Sequence, residues 1–381
     1  MHKVSELDAL RGLMAVWVWV SHVLFFGGLS SGIFYYIGLG GAAVKVFIIL
    51  SGFAITCSLM NRPQTYRDYM RRRFWRIYPV YLVGLGLGLA TFALYAQNAE
   101  ALNWMHAGDV APLRERIESF RTSPVPHIVS HLLLLHGVIP DTWLYGSSLS
   151  INGPLWSLSL EWQFYLLAPL IVTVLQTPRQ RWILLGAMVA VTAVAAEKFS
   201  GGFSIVPSFL PLVLGYFAVG ILTALHLDRL RSDAELRFGA AALLVLLATA
   251  AGSQEFFFAT AIWSVVMVAV LTPDLAPCRW LGRMLAHPWL IFFGERSYGF
   301  YIFHMPALLF WGGWLIANGY AGNRWIFIAG LALTLPVTML AAILSYDFFE
   351  RPIQRWSRRK GAKPAVRGHA IGRDRSAVEK I

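Results

Sequence analysis

SYGFYIFHMPALLFWGGWLIA, residues 297–317, runs for 21 positions without an Asp, Glu, Lys or Arg. Wound into a helix at about 1.5 Å per residue, it covers about 30 Å, the thickness of the hydrocarbon core of a bilayer. The stretch is one of a series. Comparable apolar windows lie near 12–31, 38–60, 77–96, 154–176, 182–197, 207–226, 236–252, 256–273 and 325–346. The pattern predicts an all-α polytopic membrane protein, a bundle of about ten transmembrane helices. Pro and Gly recur within the windows, which membrane helices tolerate when neighbours satisfy the backbone. The windows show no internal repeat.

Composition points the same way. Of 381 residues 57% are apolar and only 14% charged, against about 25% charged in a soluble domain. Trp, Phe and Tyr number 15, 25 and 14. Disorder, collagen-like repeats, a disulfide scaffold and an ordinary soluble enzyme are excluded on these numbers. The two cysteines, Cys57 and Cys278, have no metal or redox spacing and read as free and structural. The apolar run after the N-terminus lacks a small-residue cleavage pattern, so it reads as a first span rather than a removed signal peptide.

The net charge of +12 is explained by topology. With the N-terminus placed in the cytoplasm, 26 of the 32 Lys and Arg fall in cytoplasmic segments. That bias sets the orientation by the positive-inside rule, with both termini cytoplasmic, and removes nucleic acid as a partner. The long external segment, 97–153, holds an apolar stretch from His127 to Ile139 that is too short to cross and reads as interfacial or re-entrant. His127 and His131 could share a helix face, but no third metal ligand is spaced with them. Residues 353–381 read as a basic, disordered cytoplasmic tail near anionic headgroups.

Ionisable groups inside spans are costly and mark functional or pairing sites. His22 follows Arg11 by eleven residues, about 16 Å along a helix. It is the candidate general base, because imidazole titrates near neutrality; the bland reading is a core histidine bonded to a neighbouring helix. Glu161 is expected about 10 Å below the outer boundary, with Lys45 at a similar depth, so the two could pair across the bundle. His304 is a structural histidine or a site-lining one. Arg71, Arg72, Arg73 and Arg76 anchor the cytoplasmic end of the third span. Arg73 and Arg76, one turn apart, also suit the phosphates of a nucleotide-like ligand. The G-x-S-x-G, G-x-x-x-x-G-K-[ST] and H-E-x-x-H patterns are absent.

Taken in order, these stretches resemble the acyltransferase family 3 membrane proteins, which O-acylate glycans and related acceptors. Leu7-Asp8-Ala9-Leu10-Arg11-Gly12 followed by His22 reproduces an R-x10-H pattern. Val44-Lys45-Val46-Phe47 and Ser51-Gly52-Phe53 come next, then Arg73-Phe74-Trp75-Arg76-Ile77-Tyr78-Pro79 with its R-x-x-R. Trp156-Ser157-Leu158-Ser159-Leu160-Glu161-Trp162 follows, then Gly294, Ser297-Tyr298, Tyr301 and His304, and Glu350-Arg351-Pro352 closes the series. Ile48 stands where the family often has a second Phe.

The resemblance covers roughly 7–352 and implies a transmembrane acyltransferase domain over 1–352 in a plasma (inner) membrane. It implies a cytoplasmic acyl-CoA donor, acetyl-CoA by preference, and a glycan or glycolipid acceptor modified toward the outer side, without a metal. His22 would be catalytic, with Glu161 orienting the imidazole or binding the acceptor. Arg11, Arg73 and Arg76 would hold the donor, and Lys45, Ser297, Tyr298 and His304 are candidate site-lining residues. Two alternatives stay open: acylation of a lipid or small secondary metabolite, and a proton-coupled transporter using His22, Glu161 and Lys45.

Overall fold

A computed structural model describes residues 4–61, 64–203 and 206–359, and among these every regular element is helical. The helices used below are α1 (Glu6–Phe26), α2 (Gly40–Asn61), α3 (Tyr66–Ala101), α4 (Ala107–Thr122), α5 (Pro124–Leu132), α6 (Trp156–Leu175), α7 (Pro178–Phe199), α8 (Leu214–Leu225), α9 (Ala234–Ala250), α10 (Gln254–Leu271), α11 (Ala276–Leu285), α12 (Pro288–Glu295), α13 (Ser297–Ala317), α14 (Arg324–Ala332), α15 (Thr334–Ser345) and α16 (Arg351–Arg359). All ten predicted windows fall on helices. Among the described residues eight helices are long and apolar enough to cross a membrane; the windows near 207–226 and 236–252 form shorter ones, Leu210–Leu225 and Ala234–Ala250.

Local chemistry sets the ends. α1 starts earlier than its apolar window and stops at Gly27, because Gly28 turns the chain at φ +63, where a side chain would be strained. α3 is far longer than the predicted 77–96. The Thr65 hydroxyl accepts the Asp68 amide at 3.2 Å and caps the helix ahead of the arginines, so they ride on its first turns. Asp233, Ser253 and Asn323 cap α9, α10 and α14 in the same way. The residues 353–359 of the expected disordered tail continue α16 as helix; the rest of that tail lies outside the described residues.

α1, α2, α3 and α13 form the centre, with α6 against α2 and α3. α8 packs along α2 through two glycines: a Cβ on Gly52 would strike the Phe217 carbonyl, and one on Gly220 would strike Ile49. Small residues of this kind let membrane helices approach closely without a hydrophobic driving force between them. α7 and α9 lie at the periphery with mostly exposed apolar faces.

The external segment does not stay outside the bundle. Asn152 reaches its middle, where its side-chain amide donates to the carbonyls of Gly84 on α3 at 3.1 Å and Ile302 on α13 at 3.3 Å. α6 therefore begins inside the bundle rather than at its outer boundary.

Candidate functional site

Among the described residues, two cavities in the bundle bear on the candidate site. The first, about 100 Å³, is lined by Arg11 from α1, Arg76 from α3, Ser51 from α2, Glu161 from α6, and Ser297 and Tyr298 from α13. Its deeper wall is apolar, from Val44, Phe47, Ile48 and Leu158. Arg11 pairs with Asp8 at 3.2 Å across one helical turn. The Tyr298 hydroxyl donates to the Ile77 carbonyl at 2.7 Å and joins α13 to the arginine-bearing turns of α3. Glu161 accepts hydrogen bonds from Ser51 at 3.1 Å and from the Tyr165 hydroxyl. Arg73 does not line the cavity. Its guanidinium donates to the Ser58 hydroxyl at 3.2 Å and lies over the rings of Tyr69 and Tyr165 at 5.4 and 5.3 Å, so it braces the wall.

The second cavity, about 560 Å³, is lined by His22 and Val18 of α1, Lys45 of α2, Tyr95 of α3, Asp109 and Arg116 of α4, Trp156 of α6 and Glu255 of α10. Lys45 is buried and pairs with Glu255 at 3.2 Å, its ammonium 5.3 Å from the centroid of the Trp156 ring. This corrects the expected Lys45–Glu161 pair. Because α6 begins mid-bundle, Glu161 lies opposite Ser51, about 9 Å along α2 from Lys45. Glu161 consequently sits with the arginines, and its bonds are to Ser51 and Tyr165 rather than to His22.

His22 stacks on His304, ring centroids 5.3 Å apart and planes 25° from parallel. His304 Nδ1 lies 2.7 Å from the Tyr301 carbonyl oxygen. A carbonyl can only accept, so Nδ1 carries the proton and Nε2 of the neutral ring presents a lone pair. That Nε2 is buried without a hydrogen-bond partner. Unlike His22, His304 lines neither cavity wall and supports its neighbour from behind.

Val44 and Tyr301 line both cavities and form the partition between them. The Tyr301 hydroxyl donates to the Pro154 carbonyl at 3.0 Å and shares a hydrogen bond with Ser157 at 2.9 Å. Its ring meets Phe47 edge-on at 5.7 Å. Trp156 and Tyr301 stood in the sequence motifs without an assigned role. Arg116 and Glu255 carried no sequence signal, since each is one charge at the edge of a long or apolar segment.

His127 and His131 are fully buried, and His136 supplies the third histidine that the spacing did not reveal, its ring stacked on His131 at 4.0 Å. Burial pushes His127 and His136 down to about 4 and His131 well below the ordinary histidine range, so all three are neutral packing groups at neutral pH. No group of three or more His, Cys, Asp or Glu among the described residues could hold a metal. Cys57 and Cys278 are free thiols.

A family model described as an acyltransferase domain matches residues 4–343. The chain is similar to the acyltransferase MdmB of Streptomyces mycarofaciens, 28% identical over 93% of this chain and 92% of that protein. It is also similar to nodulation protein 10 of Rhizobium leguminosarum bv. viciae, 26% identical over 91% of this chain and 92% of that protein. No solved structure matches.

Proposed function

From the premise that this chain belongs to the acyltransferase family, we propose that it is an integral membrane O-acyltransferase drawing on cytoplasmic acyl-CoA. The acyl group, acetyl by preference, passes to a hydroxyl of an exported polysaccharide or other cell-envelope glycan. One observation carries this reading: an arginine-lined cavity and a histidine-lined cavity approach from opposite ends and share Val44 and Tyr301.

Arg11 and Arg76 offer guanidinium groups to donor phosphates, which are too charged to enter the bilayer, while the apolar inner wall accepts the acyl end. Glu161 holds Ser51 on the same wall and is itself held by the Tyr165 hydroxyl behind it. On the other side His22 takes the proton of the acceptor hydroxyl. The hydroxyl oxygen attacks the thioester carbonyl, the C–S bond breaks, and the CoA thiolate leaves and is protonated. A second route has His22 attack the thioester first and carry the acyl group on its ring before the acceptor displaces it. A transporter path would need His22, Glu161 and Lys45 in sequence. They are instead divided between two cavities, and Lys45 is held by Glu255.

The test is transfer of radiolabel from acetyl-CoA to envelope glycan by membranes containing the protein. His22→Ala is expected to lower the rate about 100-fold or more at unchanged protein level. Undiminished transfer by that variant would remove His22 from the mechanism. Single-turnover reactions without acceptor, quenched in acid, separate the routes: label retained on the protein marks an acyl-enzyme.

A further inference from the structure

The transfer chemistry leaves one group in the outer cavity unused. Arg116 is 7% exposed and lines the same wall system as His22. Its housing is built for it. Nε donates to the Pro112 carbonyl at 3.2 Å, and the guanidinium lies 5.4 Å from the centroid of the Tyr95 ring. The aliphatic stem runs across Gly146, which adopts φ +62 and where any Cβ would overlap the arginine side chain. Asp141 holds the Gly146 amide at 3.0 Å and so keeps that turn in place.

What the housing lacks is a carboxylate in direct contact; Asp141, which holds the Gly146 turn, attracts the guanidinium only from farther off. Among the described residues no carboxylate lies within 4 Å of the Arg116 guanidinium, although such pairs occur for Arg11, Arg114 and Arg296. The other buried cation of this cavity, Lys45, is closed by Glu255. Asp109, on the same face of α4 and also lining the cavity, is seven residues away, about 10 Å along the helix. A guanidinium that faces a cavity with no carboxylate in contact is free to take a ligand, and its planar fork matches two oxygens of one carboxylate or phosphate.

We propose that Arg116 is an acceptor-recognition residue and that the acceptor carries an oxyanion, a carboxylate or phosphate on the sugar, which docks on Arg116 while a hydroxyl of the same molecule faces His22. The assignment rests on the acyltransferase reading and narrows its acceptor to anionic saccharides. Lys45, already neutralised, positions the Trp156 ring rather than the anion.

The experiment is direct binding, without donor, to the full-length protein in nanodiscs, using D-glucuronate, glucose 6-phosphate and glucose as probes. Wild type is expected to bind at least one charged sugar about tenfold or more tightly than glucose, and the two charged probes distinguish carboxylate from phosphate. Arg116→Gln should bring charged and neutral sugars within about twofold of each other while leaving acetyl-CoA binding unchanged. Arg116→Lys, which keeps the charge and fills the same housing, should fall between them and serves if the Gln variant does not fold. Equal affinity of wild type for charged and neutral sugars, absence of binding by all three, or a preference that survives in Arg116→Gln would each overturn the proposal. A transfer assay that fails leaves this binding result standing, and loss of the charge preference leaves the transfer reading standing.

Discussion

Lys45 and Glu255 show how a single residue pair is committed to one role. The lysine is 3% exposed and its ammonium faces Glu255 and the Trp156 ring. Removing the carboxylate leaves a buried charge with only an aromatic face, whereas removing both charges leaves no buried ion. Glu255→Gln is therefore expected to destabilise the protein by about 1–3 kcal/mol, and Lys45→Met combined with Glu255→Gln to recover much of the loss. Thermal unfolding of the purified variants in detergent measures both. A double variant no more stable than the single one would mean that the lysine is needed for more than neutralising the acid.

At the scale of elements, the site depends on where helices begin and how closely they approach. α6 starts inside the bundle because Asn152 anchors the preceding turn to α3 and α13, and that start sets the level of Glu161. On the arginine side α12 crosses α1 at Gly12 and Gly294. A Cβ on Gly12 would lie 3.0 Å from the Gly294 nitrogen, and one on Gly294 would strike the Asp8 carbonyl. Gly294 thus belongs to the packing that holds the Asp8–Arg11 turn, which explains its place in the motif series. Gly294→Ala should push α12 off this turn and raise the KM for acyl-CoA several-fold, with a smaller change in the KM for acceptor. The ratio of the two KM values from initial rates tests this. Equal effects on both substrates would separate the crossing from the donor cavity.

For the molecule as a whole, the two cavities that meet at Val44 and Tyr301 lead, under the proposed function, to an expectation that each substrate reaches the partition from its own side. Charge bias assigns the Arg11 side to the cytoplasm. With Cys57 and Cys278 replaced by Ser, a cysteine at exposed Asp109 should react with a membrane-impermeant maleimide in intact cells, while one at Ser297 should react only after the membrane is opened. Labelling of Ser297→Cys in intact cells would contradict the assignment. The same separation accounts for several intramembrane charges of a hydrophobic chain: Arg11, Arg76 and Glu161 lie at one cavity wall, and Lys45 lies at the other in its pair with Glu255.

The sequence by itself determined the helical membrane class, the ten windows and the motif order, because apolar length and loop charge are local properties summed along the chain. It also singled out His22 and the pair Arg73 and Arg76, whose burial or clustering is visible in one dimension, while Arg11 entered only through the family resemblance. Partnership was not legible. Lys45 was matched with Glu161 on depth alone, and depth failed because the segment before α6 turns inward, which only the bonds of Asn152 decide. Arg73, one turn from Arg76, faces tyrosines instead of the cavity. His304 behind His22, His136 on His131, and Arg116 in the outer wall with no carboxylate in contact are likewise products of distant segments meeting. Which charges meet, and which are left for a substrate, depends on how helices far apart in the chain cross, and that is settled by close packing in three dimensions.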